Sequence, residues 1–206
     1  MIVNETLYWI IFAIPSILIA STIHEYAHGL AAFKMGDPTA KAAGRLTLNP
    51  IPHIDPIGAI CMVLFRFGWS KPVPINEYNF DRRELGTAIT ALAGPLSNLL
   101  VAGLLALINI VFRPDLNTIL GSFLLTFVII NLALAFFNLL PIPPLDGHKI
   151  VRAILPRGIR YYWEQLEKFS IIMLILLIAP ITPAGSIAGV YISTAITGSL
   201  ALLGFL

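Results

Sequence analysis

The 206-residue chain is 57% hydrophobic and only 12% charged, with a mean hydropathy of +0.86 and a formal net charge of +2. Soluble domains carry about 25% charged residues, so the deficit indicates a polytopic membrane protein. The small charge and the lack of a basic arm give no footing for a nucleic-acid partner, and a lone cysteine, Cys61, excludes an internal disulfide and a cysteine-based metal site.

The N-terminal MIVNETLYWI lacks the basic region and small-residue cleavage site of a secretory signal, so the first apolar run, about 5–34, reads as a retained span. Further apolar runs at 85–112 and 117–140 exceed the ~20 residues needed to cross ~30 Å of hydrocarbon. A shorter one lies at 167–181 and a weaker one, rich in Gly, Ser and Thr, at 186–206. Pro114, Asp115 and Asn117 mark a tight turn between the second and third spans.

Between the first two spans lies an insert, 35–84. Within it GRLTLNP (44–50) alternates polar and apolar residues as a strand does. KPVPINEYNF (71–80) carries prolines that hold it extended and confine it to a sheet edge. IGAICMVLFRFGW (57–69) suits a re-entrant or interfacial helix. The expectation is an all-α polytopic membrane protein of about four to six transmembrane helices. It has a small membrane-associated β element between the first and second spans, and the whole chain, 1–206, forms one domain.

Of 13 Lys and Arg residues, seven fall between Lys34 and Arg83 and five between Lys149 and Lys168, leaving only Arg113 at the opposite turn. Three spans running out, back and out put both basic groups on one side, which the positive-inside rule makes cytoplasmic. The N-terminus then faces outward.

STIHEYAHGL (21–30) places His24, Glu25 and His28 in the first span. One helical turn separates the two imidazoles, so both reach one face and can share a tetrahedral zinc ion. Glu25, about a quarter-turn round, suits the general base of an H-E-x-x-H site rather than a ligand. The alternative is a pair of histidines bonded to neighbouring helices. Yet ionisable groups cost ~2.5–3.5 kcal/mol each at a span's centre and usually serve function there. His24 lies ten residues before Lys34, hence ~15 Å from the basic end of the helix.

A zinc enzyme needs a third protein ligand. His53, Asp55, Asp115, Asp146 and His148 are the candidates, of which Asp115 falls across the bilayer. Asp146 lies in NLLPIPPLDGHKI (138–150), where Pro141, Pro143 and Pro144 forbid regular helix. Broken backbone at that depth must be buried in protein or line a wet cavity. The other reading of Asp146 is a helix N-cap.

HEYAH in the first span, with NLLPIPPLDG over a hundred residues later, resembles the site-2 protease family of intramembrane zinc metalloproteases (peptidase family M50). More narrowly it is similar to the compact prokaryotic branch without a PDZ domain, which also shows GRLTLNPIPHIDPIGAI, FGWSKPVPINEYNF and ALAGPLSNLL in this order. The resemblance implies His24, His28 and Asp146 as ligands of one zinc ion per chain and Glu25 as catalytic base. It also implies Asn138 as an oxyanion-stabilising residue, the alternative for Asn138 being a partner for backbone freed by Pro141 and Pro143.

On that reading the protein is a multi-pass cell-membrane protease that hydrolyses a peptide bond in or near the transmembrane segment of a membrane-protein substrate, from the cytoplasmic side. The 44–49 and 71–75 stretches could receive the unwound substrate as an added strand. His53 and Asp55 are expected to order their loop and His148 to lie outside the ligand set. Gly94 and Ser97 of GPLSN are expected to pack helices closely, with Asn98 touching another span, and Trp69, Tyr78 and Phe80 to form an interfacial aromatic belt. Rival readings are a different H-E-x-x-H protease using Glu164 or Glu167, a metal transporter, and an inactive zinc-binding scaffold.

Overall fold

Inside hydrocarbon every backbone polar group must be satisfied within the chain, so long apolar runs become helices. In the computed structural model, which describes residues 5–65 and 68–205, three helices have the length and apolarity to cross a membrane. They are α1 (Trp9–Lys34, 26 residues), α4 (Arg83–Phe112, 30 residues) and α5 (Ile119–Asn138, 20 residues). Residues 1–4, Arg66 and Phe67 of the 57–69 segment, and Leu206 of the last apolar run lie outside the described residues.

α1 continues from a short turn, Glu5–Tyr8, and begins as a π-helix over Trp9–Ala13 before regular helix from Ile14. Pro15 cannot donate to a carbonyl one turn back, and the widened turn lies immediately before it. The helix stops at Lys34, where Gly36 takes φ +104° and a Cβ would meet the Asn79 carbonyl at 2.9 Å. α5 is capped by the Thr118 hydroxyl, which accepts from the Gly121 N–H at 3.1 Å. Fully buried Ala20, Ala32, Ala102 and Ala135 let α1, α4 and α5 approach closely.

The insert contains α2 (Thr39–Ala42) and α3 (Pro56–Phe65). The expected β element is absent: no strand forms among the described residues, and 44–50 and 71–75 are irregular. An isolated bridge between Ile54 and Ser70 is the nearest approach to pairing. Pro72 and Pro74 have no N–H to give a ladder, and side chains take the backbone partners instead. Arg45 Nη2 donates to the Lys71 carbonyl at 2.7 Å, and buried Asp37 accepts from the Asn76 N–H at 2.7 Å. The helix expected within 57–69 forms as α3, whose exposed face carries Ile57, Ile60, Val63 and Leu64. Trp9 Nε1 donates to the Met62 carbonyl at 3.1 Å, in the last turn of α3.

Beyond α5 the chain runs through α6 (Asp146–Ile154), α7 (Arg157–Gln165), α8 (Ser170–Ile178) and α9 (Ile187–Leu202). The run expected to span at 167–181 is broken: a 3-10 turn, Leu166–Phe169, precedes the nine-residue α8, which ends before Pro180. The last apolar run becomes the 16-residue α9. Among the described residues the chain is therefore an all-helical membrane protein with three full-length candidate spans and a shorter apolar helix, fewer full-length spans than the about four to six expected. The three residues expected in an aromatic belt do not share one environment. Tyr78 and Trp69 are exposed, but Phe80 is buried against Gly86, where a Cβ would sit 2.6 Å from its ring.

Candidate metal centre

α1 presents His24 and His28 one turn apart, their rings edge to face with centroids 4.5 Å apart. The proline-broken segment after α5 returns the chain so that α6 begins at Asp146, beside them. Gly147 makes this turn possible, since a Cβ there would lie 2.3 Å and 2.4 Å from the Leu139 and Leu140 carbonyl oxygens. Asp146 Oδ2 is 3.1 Å from His24 Nε2 and 3.0 Å from His28 Nε2, and the two Nε2 atoms are 3.0 Å apart. All three residues are buried at 6% exposure, and theirs is the one such donor cluster among the described residues.

The protons decide what this triangle can hold. His24 Nδ1 is 2.7 Å from Asn98 Oδ1 and His28 Nδ1 is 2.7 Å from the Thr90 carbonyl oxygen. Both partners only accept, so a neutral imidazole in either place carries its hydrogen on Nδ1 and turns a lone pair inward from Nε2. Two lone pairs and a carboxylate oxygen then converge with no proton between them, an arrangement that a cation relieves. Two imidazoles and one carboxylate with space beside them match a catalytic zinc donor set, and Nδ1 bonded to a fixed acceptor is the usual support for such ligands. Gly94 of α4 keeps that space open: a Cβ there would lie 2.4 Å from His28 Nε2 and 2.6 Å from His24 Nε2.

The cluster opens on a cavity of about 1010 Å³ that Glu25 and Asn138 also line. The Glu25 carboxylate accepts from the Val73 N–H at 2.8 Å and the Ser70 hydroxyl at 3.3 Å, so the insert reaches over the site. Asn138 Nδ2 donates to the Leu134 carbonyl at 2.9 Å, leaving one amide hydrogen free. Wall residues come from α1 (Ile17, Leu18), α5 (Ile130, Phe137) and α9 (Ile192).

The other candidates do not join the cluster. Asp55 Oδ1 accepts from the Gly58 N–H at 2.8 Å and caps α3. His53 is buried, with Nε2 2.9 Å from the Thr47 carbonyl and Nδ1 facing Arg45. His148 is buried against Trp163, ring centroids 5.1 Å apart, with Nε2 3.2 Å from the Trp163 carbonyl. Asp115 closes the expected turn by accepting from the Asn117 N–H at 2.9 Å. Asp146 is not an N-cap: Leu145 holds that position, and no side chain caps the helix. Ser97 bonds back to the Gly94 carbonyl at 2.7 Å. Sequence reasoning missed Thr90, which contributes a backbone carbonyl, and Asn131, whose amide contacts Asn98. The signal available for Asn131 was an amide at mid-span.

The profile of peptidase family M50 matches residues 101–180. The chain is 38% identical over 182 residues to "Putative zinc metalloprotease YwhC" of Bacillus subtilis, covering 85% of this chain and 82% of that protein. It is 28% identical over 177 residues to "Putative zinc metalloprotease Rip2" of Mycolicibacterium smegmatis, covering 82% and 68%. It is 27% identical over 160 residues to "Zinc metalloprotease MJ0392" of Methanocaldococcus jannaschii, covering 78% and 39%. No solved structure matches the chain. With similarity over most of both chains and a converged zinc donor set among membrane helices, the chain belongs to peptidase family M50 and is a zinc metalloprotease.

Proposed function

We propose that the protein is an intramembrane protease that hydrolyses a peptide bond in or near the transmembrane segment of a membrane-protein substrate. In this reading His24, His28 and Asp146 hold one zinc ion, Glu25 is the general base and Asn138 assists at the carbonyl oxygen. The observation that carries it is the triangle of two imidazole nitrogens and one carboxylate oxygen, 3.0 to 3.1 Å apart, with both imidazoles on a helix long and apolar enough to span. A zinc ion bound there supplies a Lewis acid and lowers the pKa of water.

The chain's own residues do the rest. Glu25 accepts a proton from the attacking water and returns it to the amine of the departing peptide. As the C–N bond breaks, the carbonyl carbon keeps the hydroxyl. Asn138 offers its free amide hydrogen to the oxygen on which charge develops. The apolar walls of the cavity suit the side chains of an unwound membrane helix. Addition of that segment as a strand to 71–75 has little support: Pro72 and Pro74 lack donors and the Val73 N–H is bound to Glu25. The cytoplasmic placement of the site, with the N-terminus outside, rests on the distribution of Lys and Arg, and the cell membrane as location on the apolar spans.

The test is Glu25→Gln in purified full-length protein with a membrane-helix substrate. Zinc content is expected to stay at the wild-type level and cleavage to fall by about 10²–10⁴-fold, the range for a lost general base. Turnover at the wild-type rate would remove Glu25 from the mechanism.

A further inference from the structure

We propose that Asn98 and Asn131 form a two-amide relay that dictates which ring nitrogen of His24 carries the proton, making both residues positioning groups for zinc capture. The proposal rests on His24, His28 and Asp146 being the zinc ligands. Both asparagines have 0% exposure, on α4 and α5 at mid-span. Buried amides in such a place must be fully partnered or costly.

Each amide is oriented by a backbone carbonyl, a group that can only accept. Asn131 Nδ2 donates to the Phe127 carbonyl at 2.8 Å, so Asn131 Oδ1 faces Asn98. Asn98 Nδ2 donates to that oxygen at 2.9 Å and to the Ala20 carbonyl at 3.1 Å, which spends both of its hydrogens. Asn98 Oδ1 is thereby left against His24 Nδ1 at 2.7 Å and requires an N–H from the ring. Turning the Asn98 amide over would set its oxygen against two other acceptors, Asn131 Oδ1 and the Ala20 carbonyl.

The relay matters because His24 has an attractive alternative. With its proton on Nε2 it would donate to Asp146 Oδ2, only 3.1 Å away, and the hydrogen would occupy the point where three donor atoms meet. A neutral imidazole carries one such hydrogen, so holding it at Nδ1 keeps Nε2 open for a cation. His28 needs no second amide, since the Thr90 carbonyl that faces its Nδ1 cannot exchange donor for acceptor. His24 faces a side-chain amide that could rotate, and Asn131 removes that freedom.

The experiment uses the detergent-purified full chain, with zinc affinity measured by competition against a chromophoric chelator. The His24 tautomer is read in metal-free, ¹⁵N-histidine-labelled protein from the ring-nitrogen shifts. Asn98→Leu is expected to weaken zinc binding about tenfold to a hundredfold and to move the His24 proton to Nε2. Asn131→Leu, which leaves Asn98 in place, is expected to give a mixture of tautomers and a smaller loss, and it carries the test should Asn98→Leu fail to fold. Wild-type affinity with the proton still on Nδ1 in a folded variant would overturn the relay. His24→Ala separates the two claims: zinc retained there defeats the ligand assignment, whereas zinc lost there but unchanged in both asparagine variants defeats the relay alone.

Discussion

Gly94 and His28 are in such close register that a Cβ on residue 94 would lie 2.4 Å from the His28 Nε2. Glycine here sets how near α4 comes to the donor atoms of α1. Gly94→Ala is therefore expected to displace the imidazoles or fill the space beside them. Overpacking of this kind costs about 1–3 kcal/mol, equivalent to roughly fivefold to a hundredfold in zinc affinity if the site bears it all. Chelator competition measures it.

Asp146 joins His24 and His28 through one oxygen, while Oδ1 lies 3.8 Å from Lys149 Nζ. Asp146→Asn keeps the shape and removes the charge. Loss of one partner from a buried charged set costs about 3–5 kcal/mol, so zinc retention is expected to drop by a hundredfold or more. Metal analysis after purification reads the result, and unchanged zinc would take Asp146 out of the ligand set.

Removing the metal leaves acceptor atoms facing one another, so zinc is expected to stabilise the fold. At free zinc one hundred times its Kd, the gain is about 2.7 kcal/mol. The thermal midpoint in detergent should rise with added zinc and fall with chelator, and His28→Ala should abolish both responses.

Asp37 ties the end of α1 to the insert. Burial pushes its carboxyl up, but hydrogen bonds from the Thr39 hydroxyl, the Asn76 N–H and the Asn79 amide hold it below its ordinary value of 3.8. A lowered folded pKa means that this group's stabilisation is present above the unfolded value and is lost as pH falls through the folded one. The wild type should lose stability below about pH 4, and Asp37→Asn should be less stable at neutral pH with a flatter acid limb in melts.

Arg152 of α6 pairs with Glu77 of the insert, joining the helix that begins at Asp146 to the strap over Glu25. Both side chains are partly buried, at 16% and 25%. A double-mutant cycle of Arg152→Met and Glu77→Gln is expected to return a coupling of about 0.5–3 kcal/mol. A coupling near zero would make the pair incidental.

Much of the site was legible because its first half is local. Helix geometry alone puts residues four apart on one face, so His24, Glu25 and His28 could be read as a unit from their spacing. The apolar lengths of α1, α4 and α5 were equally plain, since a lipid environment allows long unbroken runs few alternatives. The insert is not legible in this way. Alternation in 44–50 suggested a strand, but period two describes exposure only when a partner strand exists, and here Arg45 and Asp37 claimed the backbone. Burial of Phe80 is likewise hidden in the sequence, because no local pattern reveals the space left by Gly86.

By itself, then, the order of residues determined a membrane-embedded helix bearing two metal-competent imidazoles and a carboxylate, and a proline-broken segment ending in an acid. Tertiary structure alone decided that Asp146 crosses 118 and 122 positions of chain to meet His28 and His24, that Thr90 and Asn98 set acceptor oxygens against the two Nδ1 atoms, and that the insert forms no sheet among the described residues. The division follows from range. Helical periodicity is set by neighbours within one turn, whereas lone-pair direction and the meeting of distant side chains depend on how closely α1, α4 and α5 pack, which no local pattern encodes.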